Sequence, residues 1–141
     1  MSGFLLDTNA ISEVVRDKPD SNVLAWFDVV DESALYLSVL TLGEIRKGIA
    51  ALPQSKRRTG LETWLEVDLQ ARFASRILPI DAAVADRWGV LAADAKRKGR
   101  TLSVIDGLLA ATALEHNLTI VSRNTDDFAP TQASFLNPWK A

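Results

Sequence analysis

The stretch Gly3-Phe4-Leu5-Leu6-Asp7-Thr8-Asn9 is a short apolar run closed by an acid and two polar residues. A run of this length, bounded by residues that cap helices, reads as a buried strand over Gly3–Leu6. Thr8 and Asn9 can cap a helix that continues to about Arg16, and Pro19 ends that segment. The same alternation recurs along the chain. Ser21 can cap a helix carrying Val23, Leu24, Trp26, Phe27 and Val30, and Leu35–Ser38 reads as a second strand. Thr41-Leu42-Gly43-Glu44 has the spacing of a capping box, with Ile45, Ile49 and Leu52 following. Pro53 to Arg58 reads as a polar, basic linker before a long helix with Leu61, Trp64, Leu65 and Leu69 on one face. Ile77–Ile80 reads as a third strand, and Pro79 places it at an edge. Asp81 and Ser103 can cap two further helices, the second containing Asp106 and running to Asn117. Thr119–Ser122 reads as the fourth strand, and the tail can hold a last short one. Strands separated by helices predict an α/β fold with a mainly parallel central sheet.

Composition narrows the function classes. The 141 residues read as one domain, 1–141, with no internal repeat and no low-complexity segment. With 48% hydrophobic and 24% charged residues, the chain is neither a disordered tail nor a fibre. The absence of cysteine excludes a disulfide scaffold, a thiolate zinc site and a cysteine nucleophile, and the single histidine, His116, excludes a multi-histidine metal site. A net charge of −2 gives no bulk attraction to a polyanion, so a nucleic-acid role needs a local basic patch or bound cations. No apolar run approaches the roughly 20 residues that cross a bilayer. The first residues reach an acid at Asp7 without a basic leader, so the expected location is cytoplasmic, with no membrane partner.

In an open parallel sheet, ligands bind beyond the carboxyl ends of the strands. Asp7 follows the first strand. Glu44 falls in the first turn of the helix after the second. Asp106 falls in the first turn of the helix before the fourth, and Asn124, Asp126 and Asp127 follow that strand. Each acid alone is explained by helix capping. Together they would converge. Converging carboxylates repel one another unless a cation lies among them, and oxygen ligands without Cys or His suit Mg²⁺ or Mn²⁺ rather than Zn²⁺. Such an ion activates water for phosphoryl chemistry without a side-chain nucleophile. Gly43 and Gly107, beside Glu44 and Asp106, leave room for a ligand to approach.

Leu5-Leu6-Asp7-Thr8-Asn9, Thr41-Leu42-Gly43-Glu44, Asp106-Gly107 with Ala110-Ala111-Thr112-Ala113, and Val121-Ser122-Arg123-Asn124-Thr125-Asp126-Asp127-Phe128 resemble, in order, the motifs of the PIN-domain family. The terminal Asn137-Pro138-Trp139 is similar to the FitB-like branch of VapC toxins. The resemblance implies a three-layer α/β/α domain and a metal-dependent endoribonuclease, the toxin of a type II toxin–antitoxin pair. It implies a homodimer and a small antitoxin with a DNA-binding region. Asp7, Glu44 and Asp106 match acidic metal-site positions, with Asp7 and Asp106 as direct ligands and Glu44 binding a second ion or positioning water. Asn124 stands where related sequences often carry an acid, so either Asp127 compensates or Asn124 offers a neutral oxygen. In the same pattern Thr8 and Asn9 support the site by hydrogen bonds.

Arg46, close to Glu44 in sequence, is a candidate contact to RNA phosphate. Lys56–Arg58 and Lys96–Arg100 offer further basic runs, the latter better explained as a helix end that complements its dipole. Trp26, Trp64 and Trp88 fit core or dimer packing better than base stacking. Two other readings remain. One is an aspartyl-phosphate domain with Asp7 as nucleophile, which the Asn at position 9 disfavours. The other is a non-catalytic interaction domain that keeps the fold.

Overall fold

The computed structural model describes residues 3–140. Five parallel strands form one sheet: β1 (Gly3–Leu6), β2 (Leu35–Ser38), β3 (Ile77–Leu78), β4 (Leu118–Val121) and β5 (Phe135–Leu136), in the order β3-β2-β1-β4-β5. The chain builds outward from β1 to one edge, then returns to lay β4 on β1's other side. The strand order therefore reverses between β1 and β4, and a crevice opens at their carboxyl ends.

Alternation along β1 feeds two cores. Leu5 packs with Leu118 and Ile120 against α6 (Ala82–Arg97) and α7 (Val104–Glu115), through Val84, Leu91, Leu109 and Ala113. Leu6 packs with Val121, Leu35 and Leu37 on the opposite face. There it meets α1 (Thr8–Glu13), α3 (Val39–Ala50) and the helical run through α4 (Lys56–Thr63) and α5 (Leu69–Arg72), with Ala10, Ile11, Ile45, Ile49 and Leu69 as contacts. The result is a three-layer α/β/α domain.

Several boundaries differ from the sequence reading, each for a local hydrogen-bonding reason. Asp7, not Thr8 or Asn9, caps α1, which ends at Glu13 rather than near Arg16. Asp20, not Ser21, caps α2 (Ser21–Val29), its carboxylate accepting from the Asn22 and Val23 N–H groups. Ser38 caps α3, which puts Thr41 inside the helix and buries it, so the capping-box reading of Thr41 and Glu44 fails. Lys56–Arg58 is not linker but the first turn of α4, capped by Ser55 Oγ. The long helix expected from there is interrupted by a π-helical segment at Trp64–Asp68. The third strand is limited to Ile77–Leu78 at the sheet edge, where Pro79 has no N–H to continue a ladder. Trp26 packs edge-on against Phe4 and Phe27, and Trp64 and Trp88 are half-buried against the two cores.

Gly107 serves packing rather than ligand access. A Cβ at this position would lie 2.8 Å from Trp88 Cδ1, so the glycine lets α7 close on α6. Around Gly43, by contrast, a Cβ would meet nothing within 4 Å. Gly107→Ala should destabilise the fold by about 1–2 kcal/mol, overpacking outweighing the gain in helix propensity. Gly89→Ala, exposed on α6 with open space around its Cβ position, should stabilise by roughly 0.5–1 kcal/mol. Urea denaturation of the two variants checks the opposite signs.

Candidate active site

The β1–β4 crevice is organised by one hydroxyl. Asp7 ends β1, and its backbone N–H still pairs with Val121 of β4. Its Oδ1 accepts the Thr8 N–H at 2.8 Å, and its Oδ2 accepts the Ser122 hydroxyl at 2.7 Å. Ser122 is fully buried one residue past β4. Its oxygen also accepts Asn9 Nδ2 at 3.3 Å and the Asn124 N–H at 3.0 Å. One donor and two acceptor positions are thereby all used, and the hydroxyl can point only at Asp7. Asn9 reaches on, its Oδ1 accepting the Arg123 N–H at 3.2 Å.

Glu44 joins from α3. Thr8 Oγ1 donates to Glu44 Oε1 at 2.6 Å, linking the first turn of α1 to the second turn of α3. Thr8 and Asn9 thus work as side-chain braces and not as caps. Asp106 stands in the first turn of α7. Ser103 caps that helix by accepting the Asp106 N–H at 3.2 Å, and its hydroxyl donates to Asp106 Oδ2 at 2.8 Å.

Electrostatics ties these acids into one group. Burial pushes the Asp7 carboxyl above its usual range, the Ser122 and Thr8 hydrogen bonds oppose this, and the charges of Glu44 and Asp106 add to the rise. Burial likewise raises Asp106, opposed by Ser103 and reinforced by the charges of Asp127 and Glu44. Four acids from four separate stretches therefore feel one another across the crevice. Asp127 reaches this field from the 3₁₀ turn Thr125–Phe128, whereas Asn124 contributes its backbone N–H to Ser122.

The structure does not bring Arg46 to this group. Positions two apart on a helix do not share a face, and Arg46 pairs with Glu66 at 3.1 Å and Glu62 at 4.0 Å. The basic runs are similarly engaged. Arg57 pairs with Asp17, Arg58 with Glu62, Arg97 with Asp94, and Arg100 donates to the Ala129 carbonyl. Sequence reasoning placed Ser122 and Arg123 in a motif without assigning them a role, and missed the buried Glu13. The available signal for Ser122 was its place at the carboxyl end of the strand beside β1.

The acids form an oxygen-only donor set in which the charges of Glu44, Asp106 and Asp127 add to the raised proton affinity of Asp7 or Asp106, the condition a hard divalent cation relieves. Among the described residues no three acids or histidines are gathered into a ready chelate. Among the described residues no helix is long and apolar enough to cross a membrane.

Residues 4–132 match the PIN domain family. The chain is 40% identical over 137 residues to VapC ribonuclease Y4jK of Sinorhizobium fredii, covering 97% of this chain and 98% of that one. It is 40% identical over 136 residues to Toxin FitB of Neisseria gonorrhoeae, covering 96% and 98%. A solved structure of FitAB bound to a DNA fragment contains a chain that superposes with a TM-score of 0.92 at 38% identity, covering 98% of this chain and 96% of that one.

The raised carboxyls fix the sign of a pH effect. Between the ordinary Asp value of 3.8 and its raised value, folded Asp106 holds a proton that the unfolded chain has lost. Stability of the metal-free protein therefore falls as pH rises through that window, and the loss is complete above it. Asp106→Asn removes this penalty. In a chelator, its melting temperature should exceed that of the parent at neutral pH, and the two should converge as pH is lowered to about 4. Thermal melts across that range check it, and a variant that melts lower at neutral pH would make the ionised carboxylate a stabiliser instead.

Proposed function

Because this chain belongs to the PIN-domain family, in the branch that holds the VapC ribonucleases and the FitB toxin, we propose that it is a metal-dependent endoribonuclease. In this reading it is the toxin of a toxin–antitoxin pair and hydrolyses RNA phosphodiester bonds. The observation that carries the reading is the gathering of Asp7, Glu44, Asp106 and Asp127 at the switch point of the sheet, with Thr8 joining Asp7 to Glu44 and Ser122 fixing Asp7.

Asp7 and Asp106 would hold Mg²⁺ or Mn²⁺, with Asp127 or the Asn124 amide oxygen completing the set. A bound ion would supply Lewis-acid chemistry, acidifying water and offsetting charge on the phosphate. The protein's own part is orientation. Ser122 and the Thr8 N–H each fix one oxygen of Asp7, so its carboxylate cannot rotate away. Thr8 Oγ1 occupies one oxygen of Glu44 and leaves the other available to orient a water or accept its proton.

The partners follow from the same surface. A groove of about 290 Å³ runs from Thr8 and Glu44 along Val15, Ile45, Ile49, Leu52, Leu61 and Trp64, with Arg16 and Arg57 on its lining. An antitoxin segment lying in it would reach and cover the acids. Val104 and Ile105 are exposed beside Asp106 and would be covered in a homodimer, which light scattering at micromolar concentration checks. An RNA substrate implies action in the cytoplasm.

Sequencing of RNA ends after induction should show new ends with the wild-type chain and none with Asp7→Asn. In purified form with Mg²⁺, Asp7→Asn and Asp106→Asn should each lose more activity than the roughly 10–100-fold that outer partners of a metal site cost. Full cleavage by well-folded Asp106→Asn would remove the acid cluster from the mechanism.

A further inference from the structure

The end of the chain is fastened to the turn that follows β4. Asn137 Nδ2 donates to the Arg123 carbonyl at 3.3 Å, while Asn137 Oδ1 accepts the Trp139 N–H at 2.9 Å. The Trp139 carbonyl accepts from Asn22 Nδ2 of α2 at 2.9 Å. The segment therefore bridges α2 and the turn carrying Arg123.

Arg123 is held from two sides. Its guanidinium lies 4.5 Å from the centroid of the Trp139 ring, and it comes within 3.6 Å of Glu13 Oε1. Glu13 is only 3% exposed, and a buried carboxylate is costly unless paired and hydrogen-bonded. Arg16 at 3.2 Å and the Asp20 N–H at 2.8 Å share it with Arg123. Trp139 Nε1 is buried and meets no acceptor. The indole thus serves through its face and bulk, and the charge resting on that face is Arg123.

The Arg123 backbone leads to the acids. Its N–H donates to Asn9 Oδ1, Asn9 Nδ2 donates to Ser122 Oγ, and Ser122 Oγ donates to Asp7 Oδ2. We propose that Trp139 and Arg123 are positioning residues of the catalytic site: clamped between Glu13 and the Trp139 ring, Arg123 holds the turn after β4 in the place that aims the Ser122 hydroxyl at Asp7. The proposal rests on the ribonuclease reading of the acid cluster. A direct phosphate contact by Arg123 is the competing role, but its guanidinium is already divided between a buried carboxylate and an aromatic face. Small misplacements of a positioned group are expensive for turnover and leave substrate binding largely intact.

The test compares the full chain with Trp139→Leu, Trp139→Phe, Arg123→Gln and the Trp139→Leu/Arg123→Gln pair. It reads kcat and KM for RNA with Mg²⁺, and amide hydrogen exchange at Arg123 and Asn124 by NMR. Trp139→Leu should lower kcat about tenfold or more, with KM changed by less than about twofold. It should also speed exchange at both amides while β1 amides stay protected. Trp139→Phe, which keeps a smaller ring face and loses the unpartnered N–H with part of the bulk, should recover part of both effects. Arg123→Gln should match Trp139→Leu, and the pair should be no worse than either alone. Unchanged kcat and exchange in Trp139→Leu would overturn the proposal. So would Arg123→Gln raising KM with kcat intact, which would mark the guanidinium as an RNA contact. A wild-type chain that cleaves no RNA would defeat the ribonuclease reading alone, and the exchange comparison would still decide whether the clamp holds Ser122.

Discussion

A carboxylate at the end of the innermost strand is the constraint on which this structure turns. β1 has a neighbour on each side and a helical layer on each face, so Asp7 leaves the sheet where water is scarce. An ion there needs donors, because an uncompensated buried charge costs several kcal/mol or more. The Ser122 hydroxyl and the Thr8 N–H supply them. Thr8 is the next residue in the chain, whereas Ser122 follows β4, which its pairing with β1 sets beside Asp7, so sheet register decides half of the carboxylate's orientation. Asn9 and Asn124 then saturate Ser122, which removes its freedom to choose another partner.

These bonds do not finish the task. Burial and the neighbouring acids still push Asp7 upward, and Asp106 is pushed the same way. A fold selected for stability alone would separate such groups or neutralise one of them with arginine. Here the nearby arginines are turned to other work: Arg46 to Glu62 and Glu66, Arg123 to Glu13 and Trp139. Among the described residues no lysine or arginine pairs with the cluster, and the chain bears the electrostatic cost at one place. Strain concentrated at a site and offset elsewhere is the pattern expected of function rather than of packing.

Much of this was legible in the sequence, and the limits have physical causes. Short apolar runs separated by helical periods fixed the α/β class, and the position of each acid after a strand or at a helix start indicated the crevice. Where two cap-forming residues lay within one turn of each other, local pattern could not choose between them. Asp7 against Thr8, Asp20 against Ser21 and Ser38 against Thr41 differ by tertiary hydrogen bonds and by where the strand releases the chain. Arg46 lies close to Glu44 in sequence, but a helix separates neighbours two apart by more than half a turn of its surface.

The quoted motif residues whose roles could not be read share one property: their meaning depends on a partner far along the chain. Ser122 acts on Asp7 across 115 positions, and Asn137 and Trp139 act on residues 14 and 117 positions away. A serine after a strand, or a tryptophan near a terminus, carries no local signal of such a role. The two cases differ in one respect. Parallel pairing of β1 with β4 places the ends of those strands side by side whatever their side chains, so the topology alone would have put residue 122 beside residue 7. Nothing comparable predicts the Trp139–Arg123 contact, because β5 is only two residues long and Trp139 lies beyond its end. That contact depends on the side chains of Asn137 and Trp139 acting together. The first kind of long-range relation follows from topology and can be inferred once the strand order is known. The second becomes visible only when the side chains are placed.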